Sequence, residues 1–316
     1  MNTMNATANF AYVWRKEDTN THSLPEFFKE NYPEIKAKLL KHGAVLFKSF
    51  GIDDMDKLEA CVNAFPGDPL DYVDGNSPRT KLQGKVYTST EHPAEAYISL
   101  HNELSYASRW PKVIFFCCVT PALEGGNTSI ADSRRILKDL SPEVANSFRE
   151  KGVQYIRNLH GGVGPGPSWQ DTFETEDMKE VENHCRANDI QFEWNGRDNL
   201  RLIQHRKAVI QHPETKEEVW FNQADQFHPS TNSEDIFEAL MELYSDNLFA
   251  LPQYACFSDG SEIPLSMLEE VRAVANKNTA LFTWEKGDIM LVDNVLTAHG
   301  RTPFKGPRKI LVSMSA

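Results

Sequence analysis

The residues with the clearest chemical potential are His101 and Glu103, in Ser99-Leu100-His101-Asn102-Glu103, and His299, in Asp293-Asn294-Val295-Leu296-Thr297-Ala298-His299-Gly300-Arg301. On a strand, residues two apart point to the same face, so His101 and Glu103 would project together. His299, from a distant segment, could complete a facial set of two imidazoles and one carboxylate. Such a set leaves coordination positions open and suits non-haem Fe(II) acting on oxygen. Two histidines and one carboxylate also describe catalytic zinc, although the chain has no His-Glu-x-x-His helix. His-x-Glu by itself also fits a polar strand end, so the spacing alone leaves the metal open.

Three more residues could serve the same site. Arg308 follows His299 at the start of a strand pattern, and an arginine beside a metal can clamp a carboxylate bidentately. Thr128, just after Gly125-Gly126, could give a hydroxyl to that carboxylate. Asn222 ends the Trp220-Phe221-Asn222 stretch and could offer an amide. The run Gly161 to Pro167 looks superficially like a phosphate loop, but no Lys-Ser/Thr follows it; a lid over a site is the better reading.

These residues need elements to hold them. Helical periodicity covers 24–42, closed by Gly43, then 55–65, 133–140, a helix opened by Ser141-Pro142, and 176–188, 233–249 and 264–278. Strand patterns cover 44–47, 97–103, 112–119, 153–159, 191–194, 200–204, 208–210, 219–222, 280–284, 288–292 and 308–314. In 97–103, Tyr97, Ser99, His101 and Glu103 share one face, and Ile98 and Leu100 the other. Residues 1–23 read as a loose arm and 66–96 as a polar loop. Short strands with interposed helices, lacking regular strand–helix alternation, argue against a doubly wound sheet. They suit an α+β chain, mainly β: a double-sheet jelly roll with helices outside. No linker divides the 316 residues, so a single domain with an insertion at about 134–278 is expected.

Composition excludes several classes. A formal net charge of −12 with no basic stripe disfavours nucleic acid. No apolar run reaches membrane-spanning length, and the N-terminal stretch has no signal-peptide core. Five cysteines without paired spacing point to a reducing cytoplasm.

Beyond these residues, the chain resembles the taurine dioxygenase-like group of iron(II)- and 2-oxoglutarate-dependent oxygenases, in its secondary-metabolite hydroxylase branch. The resemblance is carried, in order, by Ser77-Pro78-Arg79-Thr80, Tyr87-Thr88-Ser89-Thr90-Glu91, His101-Asn102-Glu103-Leu104-Ser105-Tyr106, Gly125-Gly126-Asn127-Thr128, Ile130-Ala131-Asp132-Ser133-Arg134, Val219-Trp220-Phe221-Asn222-Gln223, Gly287-Asp288, Asp293-Asn294 and Ala298-His299-Gly300-Arg301 through Gly306-Pro307-Arg308. Asn127 departs from the acidic residue expected before the threonine. The resemblance implies a double-stranded β-helix, Fe(II) on His101, Glu103 and His299, and 2-oxoglutarate held by Arg308 and Thr128, with O2 as oxidant. A zinc hydrolase or a non-enzymatic jelly-roll binding protein would leave this combination unexplained. A halogenase would lack the carboxylate ligand, and Glu103 is present. Hydroxylation of a small polar substrate follows, with desaturation or cyclisation as other outcomes on the same scaffold.

The substrate is expected to carry a carboxylate, as an amino acid either free or tethered to a carrier protein. A chain at −12 does not steer anions globally, so a local cation must capture them. Arg308 is committed to 2-oxoglutarate and Arg301 sits in a tight turn, which leaves Arg79. Tyr97, Ser99 and Asn102 lie beside the ligands and could complete the pocket with Asn222.

Overall fold

A computed structural model describes residues 10–316 apart from His22, Pro78 and Arg197. The first nine residues of the expected N-terminal arm lie outside it, as does Pro78 of the Ser-Pro-Arg-Thr stretch.

Two antiparallel sheets share the main core. The major sheet has seven strands in the order Tyr12–Arg15, Ala44–Lys48, Ile289–Asp293, Val113–Thr120, Lys309–Ser315, Val86–Thr88 and Lys81–Gln83; the first pair alone is parallel within the antiparallel ladder. The minor sheet runs Ala280–Phe282, Thr128–Asp132, Thr297–Arg301, Ile98–His101. Central strands of the major sheet are mostly apolar because both faces are covered. In Val113–Thr120, Ile114, Phe116 and Cys118 turn toward the minor sheet, where Phe116 meets His299, the strand partner of Ile130. Phe115 and Cys117 turn the other way, onto Phe28, Leu58 and Phe65 of the flanking helices. That is the two-residue alternation of a strand, with no polar face to reveal it.

Local chemistry sets those helices. Leu24–His42 starts at Ser23, whose hydroxyl accepts from Glu26 N, and ends at Gly43 in the left-handed region at φ 73°. The helix runs unbroken through Pro33. Met55–Ala64 is capped by Asp54, which accepts from Lys57 N.

A third sheet, Gln191–Asn195, Asn199–Arg206, Val153–Leu159 and Gln253–Phe257, comes from the chain between the minor-sheet strands Thr128–Asp132 and Ala280–Phe282. One face packs on Trp169, Phe173, Val181 and Cys185.

Several sequence expectations change. The arm is not loose over its described part: Tyr12–Arg15 pairs with Ala44–Lys48, anchored by buried Phe10 and Trp14. The loop 66–96 contains the short strands Lys81–Gln83 and Val86–Thr88, too brief to show periodicity. The helix expected over 233–249 stops at Leu243, and no residue of Glu234–Leu243 is buried. The 97–103 strand ends at His101, and its alternation is broken: His299 pairs with His101, but Arg301 pairs with Ile98 across an irregularity. Ile98 therefore lines the same cavity as His101 instead of facing away. Arg301 lies in a strand, not a turn. No described helix is long and apolar enough to cross a membrane.

Candidate active site

His299 sits at the middle of Thr297–Arg301, an inner strand of the minor sheet, opposite His101 at the end of the neighbouring strand. Glu103 lies just past that strand end, in a turn where Leu104 adopts φ 56°. Asn294 fixes this turn. Its amide oxygen accepts from Glu103 N at 2.7 Å, and its amide nitrogen donates to Glu103 O at 2.9 Å and Pro111 O at 3.0 Å. One side chain thus supplies both bonds that a strand partner would have given to Glu103. Asn102 donates to Asn294 O at 2.6 Å and accepts on its own carbonyl from Gln223 at 2.6 Å. The segment that carries Glu103 is therefore tied to the one that leads into His299.

The result is a buried donor cluster. One ligand atom each from His101, Glu103 and His299 lie within 4.8 Å of one another. The imidazole centroids are 4.5 Å apart, and Phe116 packs edge-on to His299 at 5.2 Å. His101 Nδ1 meets Ser99 O at 2.9 Å, which places the proton on Nδ1 and leaves the Nε2 lone pair free to ligate. Burial holds His299 well below the usual histidine range, aided by His101 and Arg79. Burial also lowers His101, against the pull of Glu103. Neutral imidazoles are the ligating form. His299 Nδ1 is buried without a hydrogen-bond partner. Two neutral imidazoles beside a carboxylate, with a polar atom left unmet, fit a divalent metal.

Glu103 has two further neighbours. Arg79 forms an ion pair with its Oε2, with both side chains almost fully buried. Tyr72 donates to Oε1 at 3.3 Å, and its ring lies 4.3 Å from the Arg79 guanidinium. Burial raises the Tyr72 phenol to about 12, so it remains a donor. Arg79 Nε and Nη1 have no partner. Arg79 is therefore not a solvated loop residue; it lines the cavity with His101 and His299.

Thr128 and Arg308 line the same cavity, together with Phe116 and Ile310. Arg308 Nε donates to Gly126 O at 3.1 Å, and no carboxylate pairs with it among the described residues. Burial lowers it to about 10, helped by Arg301, so it is still cationic at neutral pH. Gly126 permits the approach: at φ 66°, a Cβ there would meet Arg308 Cδ and Nε at 3.1 Å. The two imidazoles of the metal-type cluster thus share one cavity with a guanidinium that no carboxylate pairs among the described residues.

Four residues expected to line the substrate pocket do not. Tyr97 is 49% exposed and, like Ser99, is absent from the cavity wall. Ser99 instead serves His101 through its carbonyl. Asn102 spends its amide on Ser133 and Asn294. Asn222 donates to Ala208 O at 3.1 Å and accepts from Ala224 N at 3.1 Å, a turn-forming role. In the same Phe221-Asn222-Gln223 stretch it is Gln223 that reaches the ligand segment. The Gly161–Pro167 loop folds around His160, whose ring meets Gly166 O and Gly162 N at 3.0 Å, and lines no part of the cavity. Arg301 donates to the carbonyls of His92, Pro93 and Ala96, the structural role its position suggested. A larger pocket of about 220 Å³, between Leu104, Trp110 and His184, contains none of the candidate ligands.

Sequence reasoning missed Tyr72, Asn294 as the Glu103 clamp, Gln226 and Trp284. Gln226 donates to Ser99 O at 3.0 Å, and Trp284 Nε1 to Thr128 Oγ1 at 2.8 Å. Asp293-Asn294 did stand among the family-like segments, which was the available signal.

Comparison with known proteins agrees with this geometry. The family model described as taurine catabolism dioxygenase TauD, TfdA family matches residues 7–314. The dapdiamide synthesis protein DdaC of Enterobacter agglomerans is 36% identical over 94% of this chain and 88% of its own. A clavaminate synthase-like protein of Arabidopsis thaliana is 28% identical over 92% of this chain and 88% of its own. The solved structure of PvcB, described as an Fe, alpha-ketoglutarate dependent oxygenase from an isonitrile synthetic pathway, is 14% identical. It aligns with a TM-score of 0.54 over 97% of this chain and 86% of its own.

Proposed function

Because the chain belongs to the TauD, TfdA dioxygenase family, and so is a 2-oxoglutarate-dependent dioxygenase using Fe(II) and O2, we propose that it hydroxylates an unactivated C–H bond of a small polar substrate. That substrate is an amino acid or close derivative, free or carrier-tethered. The observation that carries this reading is the His101, Glu103, His299 cluster, whose two imidazoles line one cavity with Arg308, a guanidinium that no carboxylate pairs among the described residues. Similarity to a protein of dapdiamide synthesis supports a place in secondary metabolism. The two facing sheets support a jelly roll, with residues 134–278 inserted in a single domain. Five free, buried cysteines support a cytoplasmic setting.

Each residue has a task in this reading. His101, Glu103 and His299 would hold Fe(II), and Ser99 O sets the tautomer of His101. Arg308 and Thr128 hold the distal carboxylate of 2-oxoglutarate. Phe116 and Ile310 keep water from the space between. Arg79, with two unmet N–H edges, receives the anionic group of the substrate. When bound, iron and 2-oxoglutarate supply the oxidising power to place one atom of O2 in the substrate, the other leaving in succinate. Desaturation or cyclisation would use the same residues, with the substrate placed differently.

The test is 2-oxoglutarate turnover over a panel of free and carrier-bound amino acids. Fe(II)-dependent succinate formation, stimulated by a panel member and lost in His299→Ala, is the expected result. Turnover of 2-oxoglutarate that no carboxylate-bearing compound stimulates would refute the substrate class.

A further inference from the structure

Trp284 lies two residues beyond the strand Ala280–Phe282 and is 5% exposed. Its indole Nε1 donates to Thr128 Oγ1 at 2.8 Å. The ring is held edge-to-face against Phe282 at 4.8 Å and 90°, and Phe282 pairs directly with Thr128 across the minor sheet. Trp284 therefore has little freedom to leave Thr128.

The consequence follows from donor and acceptor counts. An indole N–H can only donate, whereas a threonine hydroxyl has one proton and two lone pairs. Trp284 occupies a lone pair of Thr128, so that side of the oxygen cannot point its proton at a protein acceptor. Among the described residues, none accepts from the Thr128 hydroxyl. The remaining direction for the proton is the cavity that Thr128 shares with Arg308. A buried donor without a partner is costly, and a carboxylate arriving there would relieve it with a charge-assisted bond.

We infer that Trp284 is a positioning residue for 2-oxoglutarate: it locks the Thr128 hydroxyl so that its proton faces the distal carboxylate beside Arg308. This rests on the assignment of Arg308 and Thr128 to that carboxylate and adds a residue that touches neither co-substrate nor metal. The indole removes one of the three staggered positions of the hydroxyl proton, so the donor is partly arranged before its ligand arrives.

The experiment is calorimetric binding of 2-oxoglutarate to the Mn(II)-loaded protein without oxygen. 2-Oxopentanoate, which lacks the distal carboxylate, serves as the internal control. Trp284→Phe keeps the ring and removes the N–H. It should weaken 2-oxoglutarate on the order of tenfold while leaving 2-oxopentanoate unchanged. In a Thr128→Val background, the same substitution should cost less than about twofold, because its target is gone. Equal weakening of both ligands, or an equal cost in both backgrounds, would mean that Trp284 only supports the fold and would overturn the inference. Unaltered 2-oxoglutarate affinity in Trp284→Phe would overturn it too. Arg308→Ala separates the levels. If it weakens 2-oxoglutarate and Trp284→Phe does not, only the role of Trp284 falls. If Arg308→Ala has no effect, the carboxylate clamp and the inference fall together. Should Trp284→Phe not fold, Thr128→Val decides, and wild-type affinity in that variant is the negative result.

Discussion

At the scale of single residues, the site separates charges that are spoken for from charges that are not. Glu103 is engaged by Arg79 and Tyr72, whereas Arg308 has only a backbone carbonyl on its Nε. Arg308→Ala should therefore cost about 2–5 kcal/mol of 2-oxoglutarate binding, at least roughly 30-fold, with metal affinity little changed. Titration of each ligand separately checks this. Arg79→Gln should weaken the response to an anionic substrate while substrate-independent 2-oxoglutarate decay continues; an undiminished substrate response would remove Arg79 from the pocket. Acid sensitivity has a different source. Burial, with Arg272 nearby, lowers His228 to about 4, and its Nδ1 accepts from Ser230 N. The unfolded chain takes up that proton near pH 6.5 and the folded chain only near 4, so stability falls as pH falls through this window. His228→Asn should flatten that limb by about one proton in denaturant titrations at a series of pH values.

Among elements, the decisive joints are short. The Glu103 turn is held by one amide, that of Asn294, which also bonds Pro111 O. Asn294→Ala would strand buried backbone groups of Glu103, at a cost on the order of 2–4 kcal/mol, and loosen metal binding. Chemical denaturation and Mn(II) titration together measure both effects. The Gly126 turn is the corresponding joint for Arg308. Gly126→Ala should raise the 2-oxoglutarate requirement more than the iron requirement, because the added Cβ presses on Arg308 and strains φ. Such joints are where reading the sequence fell short. Apolar strands and capped helices announced themselves through period and cap: Leu24–His42 and Val153–Leu159 appear where their patterns put them. The irregular pairing of Ile98–His101 gave no sign in the sequence, and it turned Ile98 toward the cavity and left Tyr97 outside. Asn102 and Asn222 spend their amides on nearby protein groups for a related reason. An amide beside a ligand looks like a substrate contact, but a strand end first has to satisfy its own backbone. Arg79 was legible as a cation in the right loop, and its burial against Glu103 was not, since that needs the fold.

For the whole molecule, charge and topology pull on function in different ways. At −12, the protein repels a dianionic co-substrate at long range, while the buried Arg308, in the proposed assignment, would attract it at short range. Raising salt from about 0.01 M to about 0.15 M should speed 2-oxoglutarate association and leave its dissociation nearly constant, because screening reaches the surface and not the cavity. Stopped-flow rates would settle the sign. Topology bears on when the protein can meet its metal. His101 and Glu103 lie about two hundred residues ahead of His299, so a ribosome adding about 5–20 residues per second exposes the first two donors ten to forty seconds before the third. If these three residues hold the iron as proposed, the nascent chain offers it only a two-armed grip, and firm loading waits until the strand carrying His299 has slotted in beside the strand of His101. On that assignment, a half-made polypeptide would hold a redox-active ion less tightly than the finished one.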